Sequence, residues 1–207
     1  TLVADPYRWM EDDNAEKTVA WVKSQNELTF SYLDKIPFRQ KIKDRLTELL
    51  DYERFGTPFK KAGKYYYYKN DGLQNQSVLY GKETLDGEAK VVLDPNTFSE
   101  DGTIALGGIS FDKEGKYLAY RTSEGGSDWN SGQVLDLESG ELLPDKIEWM
   151  KFSGMGWYKD GFFYSRYPKP AEDEELTNKN EFHKLYYHKL GTTQDEDQLW
   201  YEEPDHP

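Results

Sequence analysis

The sequence predicts a mainly β chain: about three four-stranded blades of a β-propeller, preceded by an N-terminal α-helical hairpin. Three observations carry that expectation. The hydrophobic period changes near residue 52, one short pattern occurs three times beyond it, and each copy is followed by further strand and turn signals.

Residues 1–51 read as the helical part. Asp13 with Glu16 three residues on fits an N-cap and its capping-box partner. Ala15, Val19, Val22, Asn26, Thr29 and Leu33 then recur at helical spacing, with Trp21, Leu28 and Tyr32 as a second stripe beside them. So broad an apolar face suits a helix lying against another body. Pro37 is placed to open a second helix, with Phe38, Ile42, Leu46 and Leu49 on one side, and the stretch 52–58 ends it.

Residues 52–207 read as the propeller part. The first copy of the repeat is Phe59-Lys60-Lys61-Ala62-Gly63-Lys64-Tyr65-Tyr66-Tyr67-Tyr68. The second is Phe111-Asp112-Lys113-Glu114-Gly115-Lys116-Tyr117-Leu118-Ala119-Tyr120, and Trp157-Tyr158-Lys159-Asp160-Gly161-Phe162-Phe163-Tyr164 is a shortened third. Strand pairs follow each copy: Leu79-Tyr80 leads to Val91-Val92, Leu135-Asp136-Leu137 to Leu142-Leu143, and Tyr186-Tyr187 to Leu199-Trp200, each through a Gly-containing turn. Repeats of about 40 to 50 residues with about four strands each are propeller blades. The last blade is expected to be incomplete, and an open stack would leave apolar faces for a remainder or a partner to cover.

A formal net charge of −13 excludes a surface that attracts nucleic-acid phosphates or anionic lipid. Aromatic residues at 15% exclude a solvated disordered chain. With no Cys there is neither a disulfide nor a thiolate nucleophile, and no apolar run approaches the length that spans a bilayer. The expectation is a soluble protein, cytoplasmic or bacterial periplasmic, with neither nucleic acid nor membrane as partner.

Catalytic signals are missing. No Gly-x-Ser-x-Gly elbow occurs; Ser153-Gly154-Met155-Gly156 has the wrong order, and Ser127 lies in a loop pattern. His183, His188 and His206 are the only histidines. The first two are five apart in a strand region and point to opposite faces, so no metal site is expected, and structural or exposed roles are favoured. Glu172-Asp173-Glu174-Glu175 and Asp195-Glu196-Asp197 read as solvated charge runs, and no spacing selects a glycosidase carboxylate pair. No cofactor is expected. The charged loop 169–180 is expected to be the most mobile segment.

A longer series of motifs carries a resemblance. Asp5-Pro6-Tyr7-Arg8-Trp9-Met10-Glu11-Asp12 precedes a helix with Trp21-Val22 and Gln25-Asn26. Leu73-Gln74-Asn75-Gln76, Leu93-Asp94-Pro95-Asn96, Asp101-Gly102-Thr103, Gly126-Ser127-Asp128-Trp129, Lys151-Phe152-Ser153 and Lys184-Leu185-Tyr186-Tyr187-His188 follow in order. Together they resemble the prolyl oligopeptidases, serine peptidases that cleave short peptides after proline. The resemblance implies a seven-bladed propeller that gates a C-terminal α/β-hydrolase domain, in the same or a separate chain. That domain holds the Ser, Asp, His triad, so this chain carries no catalytic residue and is expected to be inactive alone.

By carry-over, Phe152 matches an aromatic wall of the substrate pocket for proline-containing oligopeptides. Asp128 matches an aspartate at the interface with the hydrolase domain, on which the arm with Trp9 and Trp21 would pack. From its residues alone, Phe152 reads equally well as a blade-core aromatic. Gly107-Gly108 stands where some members carry arginine, and Gly154 replaces a larger residue. A freestanding propeller-type binding module, an oligopeptidase B, and an acylaminoacyl or dipeptidyl peptidase are the alternatives.

Overall fold

The computed structural model describes residues 3–171 and 179–205. The chain divides into two compact units, Thr1–Asp51 and Tyr52–Pro207. Most of the loop 169–180, the charge run at 172–175 and His206 lie outside the described residues.

In the first unit a single turn of 3-10 helix, Arg8–Met10, is followed by α1 (Glu16–Leu33) and α2 (Arg39–Leu50). Asp13 does not cap α1. Ala15 holds the N-cap position with an extended ψ of 134°, and Asp12 Oδ1 accepts the N–H groups of Asn14 and Ala15 just upstream, at 3.1 and 3.0 Å. Pro37 does not open α2 either. It sits in a turn closed by the Arg39 N–H on the Ile36 carbonyl, and Phe38 is the N-cap residue. Thr18 is the one buried residue of α1, its hydroxyl donating to the Trp9 carbonyl at 3.2 Å, and α2 buries none. The apolar stripe of Val19, Trp21, Val22, Leu28, Ile42, Leu46 and Leu49 is therefore exposed.

Among the described residues the second unit has thirteen strands. The first sheet holds β1 (Arg54–Phe55), β2 (Phe59–Lys61), β3 (Lys64–Asn70), β4 (Val78–Lys82) and β5 (Lys90–Leu93). Both β1 and β2 pair with β3, so they act as one interrupted edge strand. The second blade is β6 (Ile104–Phe111), β7 (Tyr117–Glu124), β8 (Asn130–Asp136) and β9 (Leu142–Met150); the third is β10 (Gly156–Tyr158), β11 (Gly161–Arg166), β12 (Lys184–Lys189) and β13 (Gln198–Tyr201). All neighbours are antiparallel, and the two blades join through the single pair Met150 and Arg166. The third blade thus has all four strands and is not incomplete: short β10 supplies the strand that the abbreviated repeat obscures.

Alternation along β7 shows why these blades stack. Leu118 and Tyr120 enter a core with Tyr66, Leu79 and Leu93 of the first blade, while Ala119 between them enters a second core with Met155, Phe162 and Tyr164 of the third. Both faces of the middle blade are buried, the arrangement that period-two strands need when each side meets another sheet. Tyr66 and Phe111 meet across the first interface with ring centroids 4.4 Å apart, and Trp157 Nε1 donates to the Ser110 carbonyl across the second at 2.8 Å. The outward faces of the first and third blades carry exposed Phe55, Val91, Tyr158 and Trp200.

The repeated motif is the hairpin joining the first two strands of each blade. In the first copy Ala62 and Gly63 both have positive φ, 45° and 85°, as a two-residue type I′ turn requires. In the second, Gly115 has φ 71°, and a Cβ there would lie 2.4 Å from the Cβ of Ala62, so successive hairpin turns touch. In the third, a Cβ on Gly161 would lie 2.0 Å from the His188 carbonyl oxygen.

A buried ionic clamp closes the third blade onto the second. His188 of β12 places Nδ1 2.6 Å from Asp197 Oδ1 and Nε2 2.9 Å from Asp145 Oδ1 of β9, with the three side chains essentially inaccessible. Two carboxylate acceptors require both ring nitrogens to donate, which makes the ring an imidazolium. Burial pulls the His188 pKa down, but the hydrogen bonds to Asp197 and Asp145 outweigh it, and the net direction is upward. Around it, Tyr164 donates to Asp197 Oδ2 at 2.5 Å and the Gly191 N–H to Asp145 Oδ1 at 2.6 Å, while Asp145 Oδ2 has no hydrogen-bond partner among the described residues. The Asp195–Asp197 run is therefore not simply a solvated patch: a 3-10 turn at Gln194–Glu196 carries Asp197 inward.

Two outcomes are expected. Gly115→Ala should destabilise by about 2 kcal/mol, from overlap with Ala62 and the left-handed backbone. In urea unfolding, Ala62→Gly in the same chain should restore the steric part. For His188, a folded pKa above the ordinary 6.5 means its stabilisation is complete below about pH 6.5 and is lost as pH climbs through the folded value. Urea midpoints measured from pH 6 to 9 should fall in the native chain, and His188→Gln should flatten that slope while costing about 3–5 kcal/mol at pH 6.

Candidate functional site

Between β9 and β10 the chain makes a strained reversal. Met150 and Met155 anchor it in the second core, while Trp149 and Phe152 adopt left-handed φ values of 62° and 54°. Continued alternation from Met150 would send residue 152 inward as well. The left-handed backbone instead turns Phe152 out, 69% exposed. Each such conformation costs a non-glycine residue about 1–3 kcal/mol and persists only where its surroundings enforce it.

The enforcement is visible on both sides of Phe152. The Ser165 N–H donates to Ser153 Oγ at 2.8 Å, and the His183 ring bonds the Lys151 carbonyl. His183 is itself stacked on Tyr167, with centroids 4.4 Å apart. Burial pushes its pKa down further than the Lys151 carbonyl raises it, so the ring is neutral at physiological pH, with one N–H to give. Trp129 meets Trp149 edge to face at 5.6 Å, and Tyr167 at 6.4 Å. The Lys151 ammonium lies 4.7 Å from the Trp129 ring and 5.8 Å from that of Phe152, and Lys169 lies 5.5 Å from Trp149. The two tryptophans also line a groove of about 970 Å³ with Phe98, Tyr120 and Gln133.

Asp128 lies in the β7–β8 loop next to Trp129, exposed and in no ion pair among the described residues. Phe152 is linked to Trp129 through the Lys151 ammonium, and Asp128 directly precedes Trp129 in sequence. Trp9 and Trp21 belong to the first unit, where they meet edge to face at 6.4 Å with Lys17 4.1 Å from the Trp9 ring. Over Gly107 and Gly108, Arg121 of β7 supplies a guanidinium whose Nη2 donates to the Gly107 carbonyl at 2.8 Å. Gly154 faces open space.

Nothing in this arrangement activates a nucleophile. Ser153 Oγ accepts from Ser165 and donates to the Gly154 carbonyl, and Ser127 Oγ accepts the Trp129 N–H. His188 has both nitrogens engaged by carboxylates. Among the described residues no group of His, Cys, Asp and Glu could hold a metal ion, and no helix is long and apolar enough to cross a membrane. Sequence reasoning missed the roles of Trp129, Trp149, Tyr167 and His183, because no pattern links residues on two separate connections and the end of a strand.

Known proteins share this architecture. Prolyl endopeptidase of Elizabethkingia meningoseptica is 52% identical over 200 residues, covering 96% of this chain and 28% of that protein. Prolyl oligopeptidase A of Amanita bisporigera is 36% identical, over 99% of this chain and 30% of its own length. The chain therefore spans less than a third of the relatives it matches. Prolyl oligopeptidase B from Galerina marginata, solved bound to a 35mer hydrolysis and macrocyclization substrate, superposes with a TM-score of 0.85 at 32% identity, over 99% of this chain and 31% of that one. Oligopeptidase B from Leishmania major, at 16% identity and a TM-score of 0.78, shares the fold. Residues 1–207 match the family described as prolyl oligopeptidase, N-terminal beta-propeller domain. With three stacked blades, a leading pair of helices and these relatives, the chain belongs to the prolyl oligopeptidase family as part of its N-terminal propeller region.

Proposed function

We propose that this chain is the non-catalytic, gating part of a serine endopeptidase that cleaves short peptides after proline. The observation that carries this reading is Phe152: a large apolar ring held outward at an energetic cost, where a core aromatic would point in. A strained, exposed and well-braced aromatic is suited to forming one wall of a substrate pocket completed by another domain. Asp128, exposed in the β7–β8 loop, is suited to pairing with a cation of the hydrolase domain. The unpartnered apolar stripe of α1 and α2, with Trp9 and Trp21, is suited to packing on that domain.

The complete enzyme provides the test. A fluorophosphonate probe, which labels an activated serine, should mark a hydrolase-bearing polypeptide and leave this chain alone unlabelled. Matched peptides should be cut after proline and not after arginine or lysine; the reverse preference would move the protein to the oligopeptidase B reading, and no cleavage at all to that of a binding module. Phe152→Ala should lower kcat/KM for proline peptides about 10- to 100-fold, with the unfolding midpoint unchanged, because alanine keeps the Cβ on which the left-handed strain depends.

A further inference from the structure

Some lysines of the second unit lie over aromatic rings, as Lys60, Lys82, Lys116 and Lys159 do over tyrosines, and others are paired with acids. Lys64, Lys146, Lys184 and Lys189 each lie within 4 Å of a carboxylate. Lys151 and Lys169 rest on tryptophan rings and pair with no carboxylate among the described residues. This occurs on a chain with 39 acidic and 26 basic residues, where a nearby acid is easily found. Glu148, the acid nearest to Lys151 in sequence, is held 2.7 Å from Lys146, and the acidic run 172–175 that follows Lys169 lies outside the described residues.

Lys151 is also fixed in place. Its carbonyl is bonded by His183, its neighbour Ser153 is bonded by Ser165, and its half-buried stem brings the ammonium between Trp129 and Phe152. A cation on an aromatic platform has given up part of its hydration but keeps its charge, which strengthens its attraction for an incoming anion. The geometry points to Lys151, seconded by Lys169 over Trp149, as an anion-recognition point that favours oligopeptides carrying a carboxylate side chain shortly upstream of the residue that Phe152 contacts. His183 is a positioning residue for it, acting through the Lys151 carbonyl. The inference deepens the proposed function and rests on Phe152 facing the substrate.

The test uses the complete enzyme and three fluorogenic peptides that differ only in having Glu, Gln or Lys two residues upstream of the scissile proline. The expected order of kcat/KM is Glu above Gln above Lys. Its span should be about 3- to 10-fold, expressed mainly in KM, and should collapse near 1 M salt, where charges are screened within about 3 Å. Lys151→Glu should invert the order, Lys151→Gln flatten it and Lys151→Arg preserve it. His183→Gln, which keeps a side-chain donor, should retain more of the preference than His183→Phe. Cleavage after proline with no response to the varied charge, or a preference that survives Lys151→Glu, would overturn this inference and leave the proposed function standing. Absence of cleavage after proline would instead overturn the reading beneath it.

Discussion

A sheet that is apolar on both faces is stable only between two neighbours, and the middle blade of this chain is built under that constraint. Leu118 and Ala119 are adjacent in sequence, fully buried, and belong to different cores. At about 25 cal/mol per Å² of apolar surface removed from water, the two cores are the main reason the strands associate at all. Every other feature is arranged around keeping three sheets stacked at the right separation. The hairpin repeat, the turn glycines and the aromatic contacts across each interface serve that end.

Apolar stacking alone does not fix where one blade sits along the next, and directional polar contacts supply that register. Two glutamines act in the same manner. Gln76, before β4, accepts the Leu106 N–H and donates to the Ile104 carbonyl, each at 2.8 Å, so its amide mimics a strand residue on the edge of β6. Gln194 does the same to both backbone groups of Glu148 on β9, each at 3.0 Å. The second splice lies beside the Asp145, His188, Asp197 clamp and shares Tyr164 with it. A buried charge that loses a partner is far more costly than a pair never formed, so the clamp penalises misplacement more than it rewards correct placement.

The strands were legible because β-branched and aromatic alternation survives in most of them, and the repeat exposed the hairpins. β9 was legible only at Leu142-Leu143, since Pro144, Asp145 and Lys146 interrupt the apolar pattern before it resumes at Ile147. The clamp could not be read, because Asp145 lies 43 positions from His188 and Asp197 stands in what looks like a surface charge run. Phe152 was legible as a position but not as a conformation. Nothing in the residue type encodes a left-handed φ, so the exposed and the core readings stayed level until the backbone decided between them. Helix boundaries at Asp13 and Pro37 failed for a local reason: Asp12 and the turn at Ile36 satisfied the same donors first.

The contact between Gly115 and Ala62 has a further consequence. Blades arranged around an axis must each be rotated from the last by a fixed share of a full circle, and the share is set where neighbouring sheets come nearest. A hydrogen atom facing a methyl group is the thinnest spacer that chemistry offers at that point. A methyl in its place would act as a shim, widening one angle by a small amount. In any ring that such blades close, the angles must sum to a constant, so the error would be shared among the other junctions rather than stay where it arose.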